Sequence, residues 1–318
     1  MIRAGVTNLW NRKRTKTFFD RVPRDFRRNK KIYLLALPGI LYYLIFHYIP
    51  MVGVTLAFRE YSPALGFFAG NWVGFENFNM FFNSYYFTRL VSNTFLLNFF
   101  NILFGFPMPI ILALMLNEVQ RMHFRKTIQT ITYMPHFISL VVICGMVLDF
   151  TSEGGIINTL IELLGGSRVN LMLYSGNFRP VYIISDIWQQ VGWNSIIYIA
   201  AIAGIDQEQY EAAKLDGANR FQQILHITLP GIAPTIIILL ILKIGSMMNV
   251  GFEKIILLYN PSIYDTADVI SSFVYRKGIL QADYSYSTAV GLFNSGINFA
   301  LLIIANSLSK RLSGSSLW

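Results

Sequence analysis

Residues 211–230 read EAAKLDGANRFQQILHITLP, a polar island between two long apolar runs. Glu-Ala-Ala opens it, a Gly follows six residues after the Glu, and Ile-x-Leu-Pro begins ten residues after that Gly. The spacing predicts a short helix, a break and a second short helix. Asp206 stands where it can cap the first helix, with Gln209 three residues on to complete a capping box. Gly217 supplies the positive φ that the break requires. Asn219 can cap the second helix, again with a Gln, Gln222, three residues later. Pro230 opens the next apolar run at a first-turn position, where its missing N–H costs nothing. A loop this structured is more than a connector, and it reads as a surface that docks on something in the cytosol.

The composition around the island is that of a membrane protein. Of 318 residues 54% are apolar and 14% charged, where a soluble chain carries about a quarter charged. The apolar excess is gathered into runs of bilayer-spanning length, roughly 20 residues each. The single cysteine, Cys144, lies inside one of them, which excludes an internal disulfide and a thiolate metal site. A net charge of +9 would suit a nucleic-acid binder, but eleven of the 26 Lys and Arg precede residue 32. Basic residues so placed read first as a topology signal and a lipid-headgroup contact.

Working outward, residues 1–31 form a basic tail without the apolar core and small-residue cleavage site of a removable signal peptide. Phe18, Phe19, Val22 and Phe26 could lay part of it on the membrane surface; a solvated tail fits as well. Six spans are predicted, at about 32–58, 94–116, 128–150, 181–203, 231–250 and 288–308. With the N-terminus inside, the inner segments hold 18 Lys and Arg and the outer segments seven. That asymmetry predicts both termini in the cytoplasm, and the island with them. Without the tail the count is seven to seven, so the tail carries the orientation. The expected organisation is a cytoplasmic tail at 1–31, a six-span domain at 32–310 and a short cytoplasmic tail at 311–318.

Catalytic signatures are missing. There is no Gly-rich loop ending in Gly-Lys-Ser/Thr, so the chain does not handle ATP through a P-loop. The four His (His47, His123, His136, His226) show no metal-ligand spacing, and no Gly-x-Ser-x-Gly elbow occurs. A transport role fits better than an enzymatic one, with a secondary transporter and a membrane scaffold or enzyme subunit as the rival readings. A secondary transporter predicts inverted repeats, and no internal repeat is visible.

Residues 211–230 resemble, position for position, the cytoplasmic signature loop of binding-protein-dependent ABC importer permeases. Residues 72–78 (WVGFENF), 134–139 (MPHFIS), 192–198 (GWNSIIY) and 257–261 (LLYNP) are similar to segments of the sugar permeases, nearest to the oligosaccharide and polysaccharide subgroup that includes the alginate-importer permease. The resemblance covers about residues 30–310. It implies an all-α type I importer permease fold in a bacterial cell membrane, and a pore made with a second, different permease subunit. It also implies two ABC ATPase subunits that carry ATP and Mg, an extracytoplasmic binding protein that delivers an oligosaccharide, and no cofactor or metal in this chain. The loop would then be a coupling helix seated in a cleft of an ATPase. Carried over residue by residue, Glu211, Ala212 and Ala213 form the docking surface. Asp216 and Gly217 make the turn, and Leu229 and Pro230 join the lever to the fifth span.

Polar residues inside spans usually face a cavity or another helix. Asn98 and Asn101 stand in the second span, Asp186, Gln189, Gln190 and Asn194 in the fourth, Lys243, Ser246 and Asn249 in the fifth, and Asn294 and Asn298 in the sixth. Asp186, Gln190 and Asn194 recur every fourth residue and share one helix stripe, with Gln189 and Trp193 beside it. Trp188, Trp193 and Tyr198 could offer faces to sugar rings. Any one Asn or Gln reads as well as an interhelical hydrogen bond; the stripe as a set reads as a lined path. Lys243 stands thirteen residues beyond Pro230, about 20 Å along a helix, at nearly the depth of Asp186. Either these two pair with each other or Lys243 meets an acidic sugar.

Overall fold

A computed structural model describes residues 28–64, 66–67, 70–313 and 316–317. The tail and its four apolar residues therefore lie almost wholly outside the described residues. The described residues fall into two units that divide between Val54 and Thr55. To the first belongs α1 (Lys30–Tyr43), which buries none of its side chains. It runs on through a π-helical turn at Leu44–Tyr48 into a 3₁₀ stretch at Ile49–Phe58.

The second unit is mostly helical; its described residues form one isolated β-bridge, Arg59 to Trp72, and no strand. Its helices are α2 (Glu76–Phe82), α3 (Tyr86–Phe100), α4 (Pro107–Glu118), α5 (Met122–Tyr133), α6 (Leu140–Thr151), α7 (Ile156–Leu163) and α8 (Ser175–Ala203). They continue as α9 (Gln207–Leu215), α10 (Arg220–Gln223), α11 (Leu229–Gly245), α12 (Phe252–Leu258), α13 (Tyr264–Ala267), α14 (Ile270–Tyr275) and α15 (Tyr284–Ser313). The 29-residue α8 is the central rod. Its later half packs with α4 and α11 around Ala113, Tyr198, Ile202 and Ile232. Its earlier half packs with α6 and α12 around Ile143, Phe178, Ile183, Ile255 and Leu258. A third core joins Phe81 of α2, Leu90 of α3, Ile270 and Phe273 of α14 and Val290 of α15.

Three prolines shape the long helices in the same way. π-helical turns at Leu44–Tyr48, Asn101–Gly105 and Ile224–Thr228 are each followed, two residues on, by Pro50, Pro107 or Pro230. A proline cannot donate to the carbonyl four residues back, and its ring collides with it. Widening the preceding turn moves that carbonyl aside while the helix stays continuous. Phe106 N–H accordingly donates to the Asn101 carbonyl, five residues back, at 3.0 Å.

The structure corrects several expectations. The third predicted span, 128–150, is not one helix. It breaks at 134–139, where Pro135 ends α5 in a 3₁₀ turn and the Ser139 hydroxyl caps α6 by accepting Val142 N–H. The apolar run there is Leu140–Leu163, and α5 buries none of its residues. Five described helical runs are long and apolar enough to cross a membrane: Lys30–Phe58, Tyr86–Glu118, Leu140–Leu163, Arg220–Gly245 and Tyr284–Arg311. The predicted fourth span, within α8, is long enough but is not among the five, because its polar stripe dilutes its apolar character. The run 220–245 also shows that α10 does not stop before the fifth span; it continues through the π turn at Ile224–Thr228, so Pro230 sits inside a continuous helix.

Candidate functional site

α9 and α10 form a helical hairpin projecting from the bundle. Asp206 caps α9 by accepting Glu208 N–H at 3.0 Å, so the predicted box with Gln209 gives way to a tighter bond to the second residue of the helix. At the other end Gly217 has φ +80. Ala218 N–H donates to the Ala213 carbonyl at 2.9 Å and Gly217 N–H to that of Lys214 at 3.1 Å. These are the two bonds of a Schellman termination. Asn219 then starts α10 with the predicted capping box: its side chain accepts Gln222 N–H at 2.9 Å, and its own N–H donates to the Gln222 side chain at 2.8 Å.

The hairpin is also tied to its surroundings. The Tyr210 and Thr228 hydroxyls meet at 2.9 Å, the Gln223 amide donates to the Ala218 carbonyl at 2.9 Å, and Arg220 reaches Glu118, the last residue of α4, at 3.2 Å. Glu211 and Ala212 lie exposed on α9, Ala213 is half-buried, and Asp216 and Gly217 form the exposed turn. Leu229 is half-buried and Pro230 exposed at the start of α11. Two large apolar side chains stand out of this hairpin, Leu215 at 90% and Phe221 at 72% exposure.

Within the bundle the π turn at Asn101–Gly105, α4, α8 and α11 line a cavity of about 440 Å³. Asp186, Gln190 and Asn194 line it along one face of α8, as the four-residue spacing predicts, Tyr198 joins them a turn further on, and Asn101 and Lys243 line it from the π turn and α11. Asn101 donates to Asp186 Oδ2 at 2.7 Å. The expected Asp186–Lys243 ion pair does not form. The cation beside Asp186 is Lys254 of α12, with Nζ 3.5 Å from Oδ1. Lys254 is 4% exposed, and its ammonium lies 4.9 Å from the Tyr182 ring centre. The sequence placed Lys254 in an outer loop, and only the folding of α12 back against α6 and α8 brings it inside.

Other predicted path residues lie elsewhere. Trp188 faces an apolar groove with Met146, Phe150, Ile157 and Ile184. Trp193 stacks on His136, centroids 4.4 Å apart and planes within 3°, and His136 Nδ1 is 3.0 Å from Gln190 Oε1. Gln189 is buried outside the cavity lining. Asn249, just past the end of α11, and Asn294 and Asn298 of α15 make a hydrogen-bonded knot. The amides of Asn294 and Asn298 donate to Asn249 Oδ1 at 3.0 and 3.1 Å, and Asn298 Oδ1 accepts Met248 N–H at 2.8 Å. The fifth span, predicted to reach residue 250, stops as a helix at Gly245, so these bonds tie α15 to the non-helical stretch that follows α11 and do not join two helices. Asn98 donates to the Thr94 carbonyl at 3.2 Å in its own helix, and the Ser246 hydroxyl likewise turns back to the Lys243 carbonyl at 3.1 Å.

A membrane bundle with a polar cavity and a braced, exposed helical hairpin has the build of a transport component. The family of binding-protein-dependent transport system inner membrane components matches residues 105–314, and the chain belongs to it. Protein LplB of Bacillus subtilis (strain 168) is 48% identical over 286 residues, 90% of each chain. The polygalacturonan/rhamnogalacturonan transport system permease protein YteP of the same organism is 44% identical over 285 residues, 89% of each chain. Among solved structures, that of a bacterial ABC transporter involved in import of the acidic polysaccharide alginate contains a chain of 44% identity and TM-score 0.86, with 92% of this chain and 99% of that one covered. A structure of the bacterial alginate ABC transporter with an alginate pentasaccharide-bound periplasmic protein matches at the same identity and TM-score, covering 93% and 100%. The chain is thus an inner-membrane transport component and not an enzyme.

Proposed function

We propose that this chain is one of two permease subunits of an ATP-driven importer that takes up oligosaccharides handed over by an extracytoplasmic binding protein. The observation that carries the reading is the hairpin of α9 and α10: capped at each start, closed by a Schellman turn, clamped by Tyr210–Thr228 and Arg220–Glu118, and displaying Leu215 and Phe221. Rigidity suits a lever, because a flexible loop would absorb a push and a braced one passes it on. The chain has no P-loop, so ATP and Mg belong to two separate ATPase subunits. Glu211, Ala212, Ala213, Asp216 and Gly217 form the face that rests on one of them, and Leu229 and Pro230 carry its movement into α11. Six spans follow if α8 is counted with the five apolar runs, and the basic tail, read as inside, makes both termini and the hairpin cytoplasmic. The cavity beside α8 is the sugar path, with amides for hydroxyl groups.

Co-purification tests this. The chain expressed with its ATPase and second permease should retain the ATPase in detergent and lose it in Glu211→Lys. A lone chain that is stable and drives ion-coupled uptake would refute the importer reading.

A further inference from the structure

The cavity contains a charge arrangement that the path reading alone does not require. Asp186 and Lys243 are the charged residues among the described lining, and they are differently placed. Both oxygens of Asp186 are engaged from the protein side, Oδ2 by the Asn101 amide at 2.7 Å and Oδ1 by Lys254 at 3.5 Å. Lys254 in turn is walled off, 4% exposed, near the Tyr182 carbonyl at 3.4 Å and over the Tyr182 ring. The carboxylate's charge is therefore cancelled from behind. Lys243, on the α11 wall, has no carboxylate partner among the described residues. Two ammonium groups and one carboxylate leave the site with one net positive charge. An uncompensated cation in a membrane interior is costly, and hydroxyl groups of a neutral sugar gain little from it that an amide would not supply.

We infer that Lys243 reads carboxylate groups on the passing sugar, and that Lys254 is a positioning residue which neutralises Asp186 so that an anionic chain is not repelled. The site is thereby matched to uronate-bearing oligosaccharides. This rests on the importer reading and names its substrate class. A carboxylate entering the cavity supplies the counter-charge that Lys243 lacks, and the Asp186–Lys254–Asn101 group keeps its own bonds. Removal of Lys254 would instead leave Asp186 as a bare anion facing the sugar.

The experiment uses the complete complex in proteoliposomes with its binding protein, and two probes of equal length: a galacturonate pentasaccharide and its methyl ester. One binding protein serves every variant, so the change in the acid-to-ester uptake ratio isolates the cavity. Lys243→Gln should lower that ratio about ten- to a hundred-fold, the worth of one charge-assisted bond. Lys254→Met should also lower it, and adding Asp186→Asn to Lys254→Met should restore it. A Lys243→Gln complex with the wild-type ratio overturns the proposal whatever the Lys254 variants do, since Lys243 is half-exposed and its replacement leaves the packing intact. An unrestored ratio in an assembled double variant overturns the role of Lys254. Failure of the wild type to move either probe, with ATP turnover intact, would sink the oligosaccharide reading itself.

Discussion

Asp268 shows how this chain handles charge away from water. It is 0% exposed, yet Arg276 reaches Oδ2 at 2.6 Å and Oδ1 at 3.2 Å, Ser272 donates at 2.8 Å, and Arg89 stands at 3.5 Å. Burial by itself lowers the Arg276 guanidinium, but the hydrogen bond and charge of Asp268 outweigh it and hold Arg276 above its ordinary value. Asp268→Ala should destabilise the protein by about 1.5–3 kcal/mol, because the partly buried Arg276 loses its charge-assisted hydrogen bonds; an unchanged melting temperature in detergent would contradict this. Single residues were also where sequence reading was weakest. The stripe Asp186, Gln190, Asn194 could be found because helical spacing alone puts it on one face. Trp188 is two residues from Asp186 and thus on a different side of the helix, where it meets an apolar groove. Lys254 left no signal, since its burial depends on the path of a loop and not on any local pattern.

At the scale of elements, turn chemistry was the best guide. Gly217, Asn219 and Gln222 announce a helix end and a helix start by their residue types, and each does its expected work. Gly217→Ala would place a Cβ in the left-handed region at a cost of roughly 1–2 kcal/mol, confined to the hairpin. The expected result is an unchanged circular dichroism spectrum with weaker ATPase retention. If retention is normal, the rigidity of the turn is not what matters. The break between α5 and α6 was harder to see. Pro135 marked it, but prolines are tolerated in membrane helices, and here three of them sit in continuous ones behind π turns. What distinguishes Pro135 is Ser139, placed to cap a fresh helix. Gly192 completes the junction: a Cβ there would land on the Thr132 carbonyl, so α8 can approach the end of α5 only through this glycine.

At the scale of the molecule, an all-helical membrane bundle was legible in composition, because long apolar runs have few other uses. The division of labour among the helices was not. α1 buries nothing, while α8 carries Asp186, Gln189, Gln190 and Asn194 at the centre of the second unit. The polarity that makes α8 useful also governs how it reaches its place during biosynthesis. An aspartate at the middle of a segment opposes partition from the translocon into lipid by roughly 2.5–3.5 kcal/mol. Left to itself, α8 is a poor candidate to enter the bilayer as it emerges from the ribosome. Asn101, which bonds Asp186, comes from the turn leading into α4, and Tyr198, which follows the stripe, packs in a core with α4 and α11; α11 is made after α8. Glycosylation mapping should find α8 inserting poorly as an isolated segment and efficiently once α3, α4 and α11 are present, with Asp186→Leu relieving that dependence. Efficient insertion of the isolated wild-type segment would contradict this. The helix that builds the path thus commits to the membrane late, with its neighbours as chaperones.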